Sequence, residues 1–291
     1  MLLDPTELIC VECGGTLTLG DNLYRCNACN SQYPMVENIP VLLPSASQER
    51  AQIEDSHWKN HITEGVPLPA WKAFLEAKPY IEYFEKTVLC KYEFRGKILE
   101  LGGGRCFASA LMKLQSPSSE LYASDISLRI LKTRSKETEK IMGCQIDHKA
   151  VVDALRLPFR SGMFDFVFGM AFLHHLQCPQ DSLLEIHRVL KNGGIFIAAR
   201  EPLSSFWLKP ICRRLTEQIK EERRWGSIEK PYTYSEWKHF LEPFRRYEIN
   251  LKQDPCASIT ALERNFYRIA RHTPDFILRK LGGTIRIWAI K

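Results

Sequence analysis

The sequence predicts an α/β protein with a doubly wound, largely parallel sheet, preceded by a small metal-organised ribbon. Three observations carry this reading: a matched pair of Cys-x-x-Cys knuckles near the N-terminus, a strand–glycine turn–helix unit beginning at Lys97, and a strand–helix alternation running from there to Ala199. The chain has 291 residues, 45% hydrophobic and 25% charged, enough for a sizeable core and unlike a disordered or fibrous composition. No apolar run approaches the ~20 residues that span a bilayer. The opening MLLDPTELIC lacks the basic start and long apolar stretch of an export signal, so the expectation is a cytoplasmic chain without a transmembrane segment.

The N-terminal element comes first. Cys10 and Cys13, then Cys26 and Cys29, form two pairs twelve residues apart, and each pair can present two thiolates to one face of a metal ion. Gly14, Gly15 and Asn27 supply the backbone freedom that such knuckles need, and Thr16–Leu19 with Leu23–Arg25 read as a hairpin around Gly20-Asp21-Asn22. Four thiolates leave no open position for water, so the expected zinc is structural, in place of a core that about forty residues cannot build alone. The remaining cysteines read as core or surface thiols. The tail Gln32–Pro44 extends a resemblance over residues 7–44 to a ribbon family that in eukaryotes is a separate activator subunit of RNA and protein methyltransferases. In bacteria similar segments are often fused to a methyltransferase. The expected division is therefore a zinc ribbon over 1–44, a linker with N-terminal helices over 45–95, and a main domain over 96–291. Trp71, Phe74, Leu75, Tyr80, Ile81, Phe84, Val88 and Leu89 recur at helical steps, with Trp58, Trp71 and Tyr80 as possible caps of a pocket.

In the main domain, Lys97–Leu101 reads as a buried strand, Gly102-Gly103-Gly104 as a turn that admits a ligand to the backbone, and Phe107–Leu114 as a helix. A second strand, Glu120–Ser124, delivers Asp125, 23 residues past Gly102, where a carboxylate can accept ribose hydroxyls. A dinucleotide fingerprint needs a third glycine where Phe107 stands, which disfavours NAD. The segment instead resembles the ExGxGxG motif of class I S-adenosylmethionine-dependent methyltransferases through Glu100, Gly102 and Gly104, with Cys106 in place of the last glycine. Downstream, Val151–Phe159, Phe164–Met170, the helix Asp181–Leu190 closed by Lys191–Gly194, and the strand Ile195–Ala199 follow that family's order, as in the ubiquinone/menaquinone C-methyltransferase group. The resemblance implies a Rossmann-like seven-stranded sheet. It also implies S-adenosylmethionine held by Glu100, Gly102, Gly104, Asp125, Ile126, Asp153, Ala154 and Gly169, with Asp153 toward the adenine amino group.

His174, His175 and Glu201 are the titratable groups expected near the transferred methyl, as base or acceptor ligands. Each has a plainer alternative: helix capping for the histidines, and for Glu201 a pair with Arg200. Residues 203–245, rich in aromatics among Lys and Arg, form the expected cover of the acceptor pocket. The last strands are expected at Arg246–Leu251 and Thr284–Ile290, with a helical Ser258–Arg271 between them. Charge is uneven: residues 1–199 hold 21 Lys/Arg against 23 Asp/Glu, and residues 200–291 hold 19 against 11. That basic end suits a phosphorylated, nucleic-acid or anionic-membrane partner, or simply a solvated helix surface. The leading expectation is methylation of a small-molecule acceptor such as a glycosylated metabolite, lipid or quinone intermediate. The alternatives are an RNA methyltransferase, since an rRNA guanine methyltransferase family also joins a zinc module to this fold, and a catalytically silent ribbon-bearing binding module.

Overall fold

The computed structural model describes residues 2–61, 78–204, 230–252 and 261–291. The ribbon expectation is met by four short strands, β1 (Leu17–Gly20), β2 (Leu23–Cys26), β3 (Gln32–Val36) and β4 (Ile39–Leu42). Asp21 and Asn22 close the β1–β2 hairpin as a two-residue turn, with Gly20 opposite Leu23 and Asn22 at φ 53°. The main strands are β5 (Lys97–Leu101), β6 (Glu120–Asp125), β7 (His148–Val152), β8 (Phe164–Met170), β9 (Leu190–Leu203), β10 (Arg246–Asn250) and β11 (Gly283–Ile290). Their order, β7-β6-β5-β8-β9-β11-β10, is parallel up to β9, and β11 is antiparallel to both neighbours. This is the Rossmann-like, doubly wound arrangement, in which ligands sit beyond the carboxyl ends of the strands.

The ribbon is welded to this sheet. β4 pairs in parallel with β7, Val41 opposite Val151, so one sheet runs from ribbon to domain. Glu7 binds Lys97 and accepts from the Tyr122 hydroxyl at 2.8 Å, while the Ile9 amide donates to Pro158 O at 2.7 Å. Leu8, Tyr24 and Tyr33 of the ribbon are buried in the same core as Leu99, Phe164 and Phe196.

Alternation along the strands divides the interior into two cores. Leu99, Leu101 and Val167 face the ribbon side, shared with α4 (Pro179–Val189) and α5 (Tyr234–Phe240). Ile98, Phe166 and Phe168 face α2 (Phe107–Gln115), α3 (Leu128–Met142) and a helical segment, 78–84, that runs into the π-helical Glu85–Leu89. In that segment Ile81, Phe84 and Val88 are buried as their spacing predicts, whereas Tyr80 faces solvent. Trp71, Phe74 and Leu75 lie outside the described residues.

Several boundaries move for identifiable reasons. α4 begins at Pro179 rather than Asp181, because proline suits the first helical position. Lys191–Gly194 is counted into β9, held by Gly193 N to Lys291 O at 3.2 Å and Lys291 N to Gly194 O at 3.1 Å. At its far end β9 continues to Leu203 through a bulge at Arg200, where φ is 59° and the register with β11 slips between Ile285 and Ile287. The expected 258–271 helix is α6 (Ala261–Ala270), followed by α7 (Asp275–Leu281), and residues 253–260 lie outside the description. Within the expected pocket cover, Tyr232, Trp237, Leu241 and Phe244 are core residues, with Phe244 stacked on Phe196 at 6.0 Å. Residues 205–229 of that segment are outside the described residues.

Candidate functional site

The carboxyl ends of β5, β6, β7 and β8 open into a cavity of about 350 Å³, in the size range of small-ligand sites. Of the residues the sequence assigns to cofactor binding, Gly102, Gly104, Asp125, Ile126, Asp153 and Ala154 line it. Gly102 and Gly104 take φ of 62° and 51°, and Cys106 follows at 60°. The cysteine thus adopts a left-handed conformation of the kind that favours glycine, and from there it begins α2.

Asp125 fixes this loop. One carboxylate oxygen accepts from Gly104 N and the other from Ser127 N, both at 2.9 Å. Burial raises the Asp125 pKa, and those two amides work against the rise. Glu100 does not reach the cavity. It lies buried beneath the loop and accepts from both the amide and the hydroxyl of Ser109, which ties β5 to α2. Burial pushes the Glu100 carboxyl up to about 7 from an ordinary 4.5, so folding favours its protonated form. Stability contributed by that proton is complete below about pH 4.5 and is lost as pH rises toward about 7, roughly 3 kcal/mol in all. Urea melts at about pH 5 and about pH 8 should show Glu100→Gln losing about 3 kcal/mol less than the native chain. Equal losses in the two proteins would contradict that account of Glu100.

Gly169 is also absent from the cavity wall. The Phe172 ring occupies the space where a Gly169 side chain would begin, and a Gly102 Cβ would lie 2.7 Å from Phe172 Cβ. Both glycines therefore make room for an aromatic wedge that itself lines the cavity.

Among the three predicted catalytic groups, His175 lines the cavity and the other two support it. The bulge at Arg200 turns Glu201 into the interior, where it is fully buried. Its carboxylate accepts from the amides of Phe172, Leu173 and His174 at 3.0, 3.2 and 3.2 Å and from His174 Nδ1 at 2.9 Å. Glu201 is thus the cap of the Leu173–His175 turn rather than a partner of Arg200, whose guanidinium lies 5.3 Å above the Tyr83 ring. The His174 ring sits 4.1 Å from that of His175 and backs it.

The fourth wall comes from α1 (Gln48–His61), which presents Arg50, Glu54 and Trp58 at successive turns. Trp58 is one of the aromatics proposed as a cap. Arg50 binds Asp153, which also accepts from the Ser47 hydroxyl and from Leu155 N at 2.9 Å. Burial, then the nearby Asp125 charge, raises the Glu54 pKa. α1 is fastened to α3 through Asp55, which accepts from Ser127 Oγ and from Arg129 N at 3.1 Å. The sequence gives little warning of this wall, because α1 carries no apolar stripe and its contacts lie some hundred residues away.

In the ribbon, beside the 155–157 turn that follows Asp153, the four predicted ligands converge. Sγ atoms of Cys10, Cys13, Cys26 and Cys29 all lie within 4.8 Å of one another, with Cys10–Cys29 at 3.6 Å and Cys13–Cys26 at 3.5 Å. A tetrahedron of sulfurs ~2.3 Å from zinc has edges of ~3.8 Å, so the thiols fit that ion. Glu12 N and Ala28 N each donate to a cysteine sulfur at 3.4 Å, and a side chain at Gly15 would stand 3.1 Å from Cys26 Sγ.

Comparison with known proteins agrees with this geometry. The methyltransferase-domain family matches residues 99–198. An uncharacterised chloroplastic methyltransferase of Arabidopsis thaliana is 29% identical over 67% of this chain and 58% of its own length. The ubiquinone/menaquinone biosynthesis C-methyltransferase of Bordetella parapertussis is 36% identical over 100 residues, 34% of this chain and 38% of its own. The chain therefore spans less than two thirds of the length of each of these relatives. In fold it is similar to a chain from the complex of the Haloferax volcanii Trm112 methyltransferase activator with a candidate methyltransferase. That match has a TM-score of 0.51 and 17% identity, covering 76% of this chain and 94% of the other. No described helix is long and apolar enough to cross a membrane.

Proposed function

We propose that this chain, whose residues 99–198 match the methyltransferase-domain family, transfers methyl groups from S-adenosylmethionine to a small acceptor of lipid, quinone or glycosylated-metabolite type. The cavity lined by the glycine loop, Asp125 and Asp153 carries this reading. S-adenosylmethionine, when bound, supplies a sulfonium methyl for in-line displacement, which asks of the protein mainly alignment. The donor set fits that group: Glu54, Asp125 and Asp153 surround the cavity with carboxylates suited to a sulfonium and an ammonium, and the glycines admit it to the backbone. Asp125 would take the ribose hydroxyls, Ile126 and Ala154 would flank the adenine, and Asp153 would share its carboxylate between the adenine amino group and Arg50. Glu100 and Gly169 act behind this wall, through α2 and Phe172. For an acceptor that carries a proton, the His175 imidazole is placed to take it, with Glu201 and His174 holding it in position.

Zinc on Cys10, Cys13, Cys26 and Cys29 is the structural centre of a brace, residues 1–44. Residues 45–95 contribute the α1 wall and 96–291 the transfer domain. Support for a quinone or lipid acceptor comes from the Bordetella relative, a quinone-biosynthesis C-methyltransferase. Incubation with methyl-labelled S-adenosylmethionine, a lipid and quinone extract, and total RNA should place label in the organic-soluble fraction. Label confined to RNA would overturn the acceptor class.

A further inference from the structure

The corner formed by α6 and α7 has two unlike faces. Its inner face is fastened to the domain: Tyr267, Ala270 and Leu278 are buried, and the Tyr267 hydroxyl bonds Thr284 Oγ1. Thr273 N donates to Ala270 O at 3.1 Å where α6 ends, and Ile277 N donates to Pro274 O at 3.0 Å where α7 begins. The outer face carries Ile269 at 69% exposure and Phe276 at 63%, the two most exposed large apolar side chains among the described residues. Isolated exposed hydrophobics are ordinary, but the two most exposed ones standing on either side of one bend are not.

Charge surrounds them. Arg268 adjoins Ile269, and Lys280 stands four residues after Phe276 on its side of α7, next to Arg279, whose guanidinium lies 4.2 Å over the Tyr234 ring. Exposed Arg264 and Arg271 complete five cations over residues 264–281. The single acid in that stretch, Asp275, is ion-paired with Lys252 at 3.3 Å. Apolar side chains flanked by long cations match a bilayer interface, where the apolar groups enter the acyl boundary and the cations meet lipid phosphates. Nucleic acid would use the cations but gain little from an exposed Ile269, which cannot stack on bases as aromatic rings do. The corner also sits on the rim that matters. Gly283 pairs with Leu203 and Thr284 with Pro202, which places α7 at the carboxyl end of β9, the edge onto which the cavity opens.

We propose that the α6–α7 corner docks this protein on an anionic lipid bilayer, through Ile269 and Phe276 together with Arg264, Arg268, Arg271, Arg279 and Lys280. This inference goes beyond the methyl-transfer reading and stands or falls by a separate measurement. Docking here would set the rim of the cavity against the membrane surface, within reach of a lipid-soluble acceptor.

Flotation of the full-length, zinc-loaded protein with vesicles of phosphatidylcholine, alone or mixed with phosphatidylglycerol, tests it. Strong partitioning is expected to the mixed vesicles and weak partitioning to the neutral ones. The pair Ile269→Asp and Phe276→Asp should lower partitioning at least about tenfold, and Arg268→Gln with Arg271→Gln about fivefold per residue, with melting temperatures unchanged for both pairs. Absence of flotation with the mixed vesicles overturns the proposal, as does flotation that the aspartate pair leaves intact. Binding to structured RNA that the glutamine pair weakens, with vesicles left unbound, would make the face a nucleic-acid surface instead.

Discussion

Replacing Cys26 and Cys29 with serine should abolish metal binding and lower the melting temperature of the whole protein by at least about 10 °C. The size of this effect follows from how the ribbon is joined to the domain. A structural zinc site contributes on the order of 10 kcal/mol to the folded state, and without it the knuckles have only short strands to hold them. β4 is a strand of the main sheet, and Leu8, Tyr24 and Tyr33 belong to the same core as Leu99 and Phe196. Loss of the ribbon therefore uncovers one edge of β7 and one side of the shared core. The damage should extend to the cavity. Ser45 N donates to Glu12 at 2.6 Å and Arg156 donates to Glu12 O at 2.8 Å, while Ser47 and Arg50 at the start of α1 bind Asp153. A ribbon that unfolds releases α1, and with it Arg50, Glu54 and Trp58. Metal analysis and thermal melts of the double variant check this, and unchanged zinc content with unchanged melting would contradict the structural role.

Asp125→Ala should weaken S-adenosylmethionine about a hundredfold, or about 2.7 kcal/mol. Two losses combine. The variant removes the carboxylate that would hold the ribose, and it leaves the amides of Gly104 and Ser127 without their acceptor. Because Gly104 belongs to the loop itself, the backbone that faces the ligand loses its tether. Asp125→Asn, which retains one carbonyl acceptor, should fall between the two, about tenfold weaker than the native chain. Binding isotherms of the three proteins distinguish these outcomes. Affinity of the alanine variant within about twofold of native would remove Asp125 from the site.

What the sequence made legible was local. The cysteine spacing, the Gly102–Gly104 turn, the arrival of Asp125 at the end of β6 and the full extent of β8, Phe164–Met170, all rest on patterns within a few residues. Such patterns follow directly from chain geometry. What escaped it was tertiary. Gly169 stands near the carboxyl end of its strand, where ligands are expected, yet its lack of a side chain serves Phe172, three residues on, which folds back over it. Glu201 could be placed beside the histidines, but its office as a cap depends on a bulge whose register is set by β11, more than eighty residues later. The aromatics of 232–244 share one composition with a pocket cover and with a core, and burial alone decides between them. The α1 wall is mostly polar, with no apolar stripe, and such a helix declares neither face nor partner until the fold supplies them.

The cavity at the ends of β5, β6, β7 and β8 is the proposed seat of S-adenosylmethionine. Calorimetric titration of S-adenosylmethionine and S-adenosylhomocysteine into the zinc-loaded protein tests it most directly. Saturable binding is expected at one site per chain with a Kd on the order of 1–100 μM, weakened about a hundredfold by Asp125→Ala. No heat of binding from a folded, zinc-loaded protein, with either ligand, would contradict it.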